Sequence, residues 1–118
     1  MARTSISPNV LVRQQVGVSA DAADLSWGAS DSANGNAVPF NARLLVFARN
    51  DDVGAQTITI AAPADPFGRT GSIDTYSLDA DEEACFGYFE PSGWKQADGT
   101  LWIDTSDNNV KLLVYQLP

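Results

Sequence analysis

Histidine is absent from this 118-residue chain, and cysteine and methionine each occur once. Without an imidazole there is no Ser-His-Asp arrangement and no histidine metal ligand. A single cysteine forms no intramolecular disulfide. Cys85 also lacks the imidazole partner that normally makes a thiolate nucleophile. It lies in Glu83-Ala84-Cys85-Phe86-Gly87-Tyr88-Phe89, an aromatic stretch that reads as strand, and is expected to be a small buried hydrophobe. No glycine loop of either common phosphate-cradling type occurs. Together these gaps exclude most enzyme classes, and the expectation is a non-enzymatic protein without a cofactor.

Positive charge is scarce too. Seven Lys and Arg face fifteen Asp and Glu, for a net charge of −8. Such a surface repels phosphate backbones and anionic lipid, so neither nucleic acid nor membrane is an expected partner. No apolar run approaches the roughly 18–20 residues of a membrane helix. The opening Met-Ala-Arg-Thr-Ser-Ile-Ser-Pro lacks the apolar centre of a signal peptide, so synthesis in the cytoplasm as a soluble protein is expected. No window sustains a 3.6-residue apolar period, which leaves helices without support.

Strand patterns are what the sequence does have. Arg43 to Arg49 is a short apolar run bounded by charge, as expected of a strand buried on both faces. Asn50-Asp51-Asp52-Val53-Gly54 breaks it, and Gln56 to Ile60 then alternates, so the two strands are predicted to form a hairpin. Pro63, Asp65, Pro66, Gly68 and Gly71 interrupt the chain. Ile73 to Leu78 resumes with Tyr76 and Leu78 on one face. The acidic turn Asp79-Ala80-Asp81-Glu82 leads to a strand over Ala84 to Phe89, and Pro91-Ser92-Gly93 to a further turn. Asp98-Gly99 is a strong turn signal before Leu101 to Asp104. Ser106 to Asn109 leads into a last strand, Val110 to Tyr115. Short strands separated by turns every roughly 8–12 residues predict a single all-β domain, an antiparallel, jelly-roll-like sandwich or barrel.

The first forty residues differ from the rest. Residues 1–20 carry Arg3 and Arg13 and no acid, while residues 21–118 carry five basic and fifteen acidic residues. Residues 14–40 are mostly small and polar, with Leu25, Trp27, Val38 and Phe40 as the main residues to bury, and so cannot build a core. An N-terminal arm and polar loop over 1–40 and a β body over 41–118 are therefore expected. Such a segment is either a surface loop or an arm ordered against a neighbouring subunit. In the second case Arg3, Arg13, Trp27 and Phe40 are the candidate contacts, with Trp94 in the body as a fifth candidate partner-binding residue, aromatics being the usual interface anchors.

Two other constellations offer chemistry. Asp79, Asp81, Glu82 and Glu83 form an acidic group that would suit Ca²⁺, although the spacing is not that of an EF-hand and Asp-rich turns are usually just solvated. Trp27, Trp94 and Trp102 would suit sugar stacking, with Trp94, after Gly93, the better exposed candidate and Trp102 expected to pack.

Read in order, Ala2-Arg3-Thr4-Ser5-Ile6-Ser7-Pro8, Leu44 to Asn50, Gln56 to Ile60, Gly87-Tyr88-Phe89, Gln96 to Asp104 and the closing Gln116-Leu117-Pro118 resemble a family of small virion proteins of tailed bacteriophages. The Gln96-Ala97-Asp98-Gly99 segment and the Leu117-Pro118 end are the most specific blocks. That family is read as head decoration or minor capsid protein. The resemblance implies a protein that decorates or cements an assembled head from its outer surface, with the major capsid protein and its own copies as partners, as a homotrimer. It offers no catalytic residues to carry over. The alternatives are a carbohydrate-binding module and a tail, neck or fibre component.

Overall fold

The computed structural model describes residues 2–10, 25–63 and 71–117, and nearly all of its regular structure is β. In chain order the strands are β1 (Thr4–Ser5), β2 (Asn9–Val10), β3 (Gly28–Ala29), β4 (Asn36–Pro39), β5 (Leu44–Asn50), β6 (Gln56–Ala61), β7 (Ile73–Leu78), β8 (Glu83–Phe86), β9 (Thr100–Thr105) and β10 (Val110–Gln116). One helical turn, α1 (Pro91–Trp94), replaces the turn expected at Pro91-Ser92-Gly93. Pro91 suits the start of a helix, where its missing N–H costs nothing.

The strands form two sheets, one in the order β1-β4-β9-β6-β7 and the other in the order β2-β10-β5-β8, with β3 also paired to β10. The sheets pack as a sandwich. Among the described residues β1 and β7 end one sheet, and β2 and β8 end the other, so the barrel alternative does not hold. Nor are the sheets purely antiparallel. The short β1 and β2 run parallel to β4 and β10, respectively.

The core follows from period-two patterning. On β5 Leu44, Val46 and Ala48 point inward, as do Ile58 and Ile60 on β6, Leu101 and Ile103 on β9, and Val110, Leu112 and Val114 on β10. Each large aliphatic side chain buried in this way stabilises the fold by about 1.5–3 kcal/mol. The outer face of β5 is only half covered, not buried as expected, because Leu45, Phe47 and Arg49 look away from the partner sheet. Leu113 also faces outward, yet it is only 2% exposed. It sits across from Phe47, whose ring meets Tyr115 edge-on at 6.2 Å.

The β5–β6 hairpin is not formed. β5 pairs with β10 and β8, and β6 pairs with β9 and β7, so residues 51–55 carry the chain across to the opposite sheet. The connections β7–β8 and β9–β10 also change sheets. Tight turns between alternating strands therefore mark arches here. Residues 36–39, expected in the polar N-terminal segment, instead form β4 between β1 and β9, with Val38 fully buried. The strand expected over Ala84 to Phe89 ends at Phe86. Gly87 follows with φ +151°, and an added Cβ there would lie 2.7 Å from the Leu44 carbonyl oxygen.

Candidate interaction surface

The two long sides of the sandwich are finished differently. On one side the N-terminal residues act as a strap. β1 pairs with β4 of one sheet and β2 with β10 of the other, while Ile6 between them packs against the core. Arg3 fixes the strap. Its Nη1 donates to Asp104 Oδ1 at 2.8 Å and its Nη2 to Asp104 Oδ2 at 3.3 Å. The guanidinium also stacks 4.3 Å from the centre of the Trp102 ring. Asp31 ties the neighbouring turn to the strap. Its carboxylate accepts from Thr4 Oγ1 at 2.6 Å and from the backbone N–H groups of Ala33 and Asn34. The Thr4 hydroxyl foremost, then the Asn34 side chain, hold the Asp31 carboxyl below its ordinary range.

The opposite side, between β7 and β8, has no such strap among the described residues. Tyr76 pairs with inward-facing Ile58, and Phe86 with inward-facing Val46, so both rings belong to the last layer of the core. They meet edge-on at 5.3 Å and bridge the two sheets. Tyr76 does share a face with buried Leu78, as expected, but it stays 46% exposed, since among the described residues no strand lies beyond β7. Tyr88, just past β8, is 59% exposed. β7 carries a register shift opposite Ile58–Ile60, with Thr75 at φ +46° and its N–H donated to Thr59 Oγ1. β8 has no irregularity in its pairing with β5.

Cys85 corrects an expectation. It is exposed, because inward Ala84 and Phe86 flank it on an edge strand and leave it facing out. Partial desolvation still pushes its thiol up, away from a reactive thiolate.

Beneath this side lies Asn50, fully buried and fully satisfied. Its Nδ2 donates to the Gly54 and Leu78 carbonyls, both at 2.9 Å, and its Oδ1 accepts from the Asp52 N–H at 2.9 Å. Its backbone N–H donates to Glu82 O, and its carbonyl accepts from Asp81 N–H. One side chain thus joins the β5–β6 arch to the β7–β8 arch. The sequence reading saw Asn50 only as a turn former. The available signal was its place at an inward position of an alternating strand, where a polar group needs partners.

The acidic turn is self-contained. Glu82 Oε1 accepts from the Asp79 N–H at 2.7 Å, and Asp81 takes φ +65°, a conformation Asp tolerates better than most residues. Among the described residues no three Cys, Asp or Glu side chains gather where they would hold a metal.

The five candidate partner residues do not converge. Arg3 is engaged within its own chain. Arg13 lies outside the described residues. Trp27 is half-buried with the Arg49 guanidinium 4.7 Å above its ring, and Arg49 is paired with Asp51 at 2.8 Å. Phe40 packs against the core. Trp94, expected to be exposed, is half-buried and meets buried Phe89 at 5.1 Å, because α1 folds it back onto the core. Trp102 is also half-buried, with Arg3 stacked on its ring and its Nε1 donating to Asp98 at 3.4 Å. Gln96-Ala97-Asp98-Gly99 has an architectural role. Buried Gln96 donates to Ala61 O, Gly99 takes φ +84°, and Asp98 accepts from Thr100 N–H and Oγ1 to start β9. No family model, curated protein or solved structure matches the chain.

Proposed function

We propose that this protein is a non-enzymatic structural subunit that works by packing against other proteins, and specifically that it decorates or cements the head of a tailed bacteriophage. The packing role is carried by one observation. The core layer Tyr76–Phe86 is left partly uncovered along a sandwich side whose counterpart is sealed by the chain's own N-terminal strands. Exposed aromatics at such a position are what an interface uses as anchors. The phage assignment is supported by the resemblance of the opening, strand and closing blocks to small virion proteins. On that reading the major capsid protein and further copies of this chain, as a trimer, are the partners on the outer surface of the capsid. Many weak contacts then add up across a symmetric shell.

The test is the copy number of this chain in purified particles that encode it, by quantitative mass spectrometry against the major capsid protein. A number comparable to the capsid protein is expected. A handful of copies would move the chain to the neck, tail or fibre, and absence would end the virion reading. The carbohydrate alternative draws no support from the tryptophans, since Trp94 and Trp102 are both engaged by the chain's own residues.

A further inference from the structure

We propose that the β8 edge accepts an extended, basic segment of a partner protein as an additional strand. Three independent features converge there.

The first is the edge itself. β8 pairs with β5 on one side, and among the described residues no strand pairs with its other side. Alternate backbone N–H and C=O groups of an edge strand point outward and are a template for another chain. The edge at β7 is guarded by its register shift and by Thr75, whereas β8 pairs regularly over all four residues. Cys85, small and exposed, presents no charge or bulk at its centre.

The second is the unfinished core layer. Tyr76 faces inward by register and is still 46% exposed, and Phe86 beside it is only half-buried. A strand laid along β8 would place alternate side chains over these rings and over Tyr88. Affinity then comes from main-chain hydrogen bonds, and selectivity from the alternate side chains.

The third is charge. Residues 74–90, which run through β7, the acidic turn and β8 to the start of α1, hold Asp74, Asp79, Asp81, Glu82, Glu83 and Glu90 and no Lys or Arg, for −6 along this stretch. The nearby cation on β5, Arg49, is already paired with Asp51 and stacked on Trp27. Complementarity therefore selects a strand carrying Lys or Arg and disfavours an acidic strand or a second copy of this acidic chain.

This edge deepens the packing role proposed above and rests on it for the source of the segment. The test needs no particles. The full chain, ¹⁵N-labelled, is titrated with the probe acetyl-KVKTKVK-amide. Saturable shifts confined to residues 76 and 83–88 are expected, with a dissociation constant on the order of 0.1–1 mM. Binding should weaken roughly tenfold or more between about 50 and 500 mM salt. The same peptide N-methylated at alternate amides, and the version with Glu for Lys, should each bind at least about tenfold more weakly. Cys85→Lys should also weaken binding, with its thermal unfolding within about 2 °C of the parent. No saturable shift, equal binding of the N-methylated or acidic peptide, or shifts centred on β1 and β4 would overturn the proposal. Concentration-dependent broadening of β8 signals without peptide would do so too, by making a second copy the occupant. A failed titration beside a high copy number removes this edge and leaves the packing role. A successful one beside absence from particles keeps the edge and removes the phage.

Discussion

The strapped side and the open side of this sandwich solve the same problem by different means. A sheet edge must be paired, covered or blunted. On the strapped side β1 and β2, two residues each, pair with one sheet apiece, and an arginine clamps the crossing. On the open side the sheets are joined from within, by Asn50 below and the Tyr76–Phe86 rings above, and among the described residues no strand pairs with the outer edge of β8. The first side is held by the backbone pairing of two short strands and one arginine clamp. The second is held by buried side chains, one amide and two rings. The strap also changes the expectation for the N-terminus. Removing residues 2–13 would strip two strand pairings and Ile6 from the body, so it would not leave the β domain untouched.

Asn50→Ala would break this contrast most severely. It deletes three side-chain hydrogen bonds and leaves the Gly54 and Leu78 carbonyls without them. A loss of about 3–5 kcal/mol is expected from urea unfolding. Hydrogen exchange should rise at both arches, 50–56 and 78–83, together. Loss of protection at only one arch would show that Asn50 does not couple them.

Two glycines offer a matched, smaller comparison. At Gly87→Ala the new methyl would meet the Leu44 carbonyl 2.7 Å away and the Leu45 side chain, at φ +151°. The obstacle includes backbone, so about 2–3 kcal/mol is expected. At Gly35→Ala, with φ +77°, the methyl would meet the Arg3 guanidinium and the Asp104 carboxylate. Those are side-chain ends, so the clamp opens and the cost stays at about 1–2 kcal/mol. Thermal melts of both variants check the order. If Gly35→Ala were the worse of the two, the strap would be the stiffer side.

The sequence made the fold class legible because alternation is local. Leu44, Val46 and Ala48, or Ile58 and Ile60, declare their face within five residues. Pairing is not local, and there the reading failed. Asn50 to Ala55 has the composition of a hairpin turn, yet the inward amide of Asn50 bonds Leu78, 28 residues away, and the chain crosses to the other sheet. Residues 36–39 looked too poor in hydrophobics to join the body, but between β1 and β9 one buried Val38 suffices. Cys85 and Trp94 were misjudged for separate reasons. Exposure at a sheet edge depends on whether a neighbour exists, and a one-turn helix can redirect a ring. The open side was illegible until strand order placed Tyr76 beside Phe86.

The smallest expected effect concerns pH and sharpens the contrast from the strapped side. Asp31 is held below its ordinary value of 3.8, first by the Thr4 hydroxyl and then by Asn34. A carboxyl whose folded pKa is depressed contributes stability above its unfolded pKa and loses it as pH falls through the folded value. Asp52, held down first by the Gln56 side chain, and Asp98, held down first by Thr100, act in the same direction elsewhere. Stability should therefore fall as pH drops below about 4. Asp31→Asn removes one such contribution and still offers an acceptor to the backbone N–H groups of Ala33 and Asn34. Its melting temperature should lie below the parent's at neutral pH and approach it in acid. Protection of Thr4 and Ile6 amides, which donate to Gly35 and Ala37, should drop with it while β8 stays unchanged. A gap that widened in acid would mean that the Asp31 charge works against the strap, and the strapped side would then owe its closure to Arg3, Ile6 and the β1 and β2 pairings.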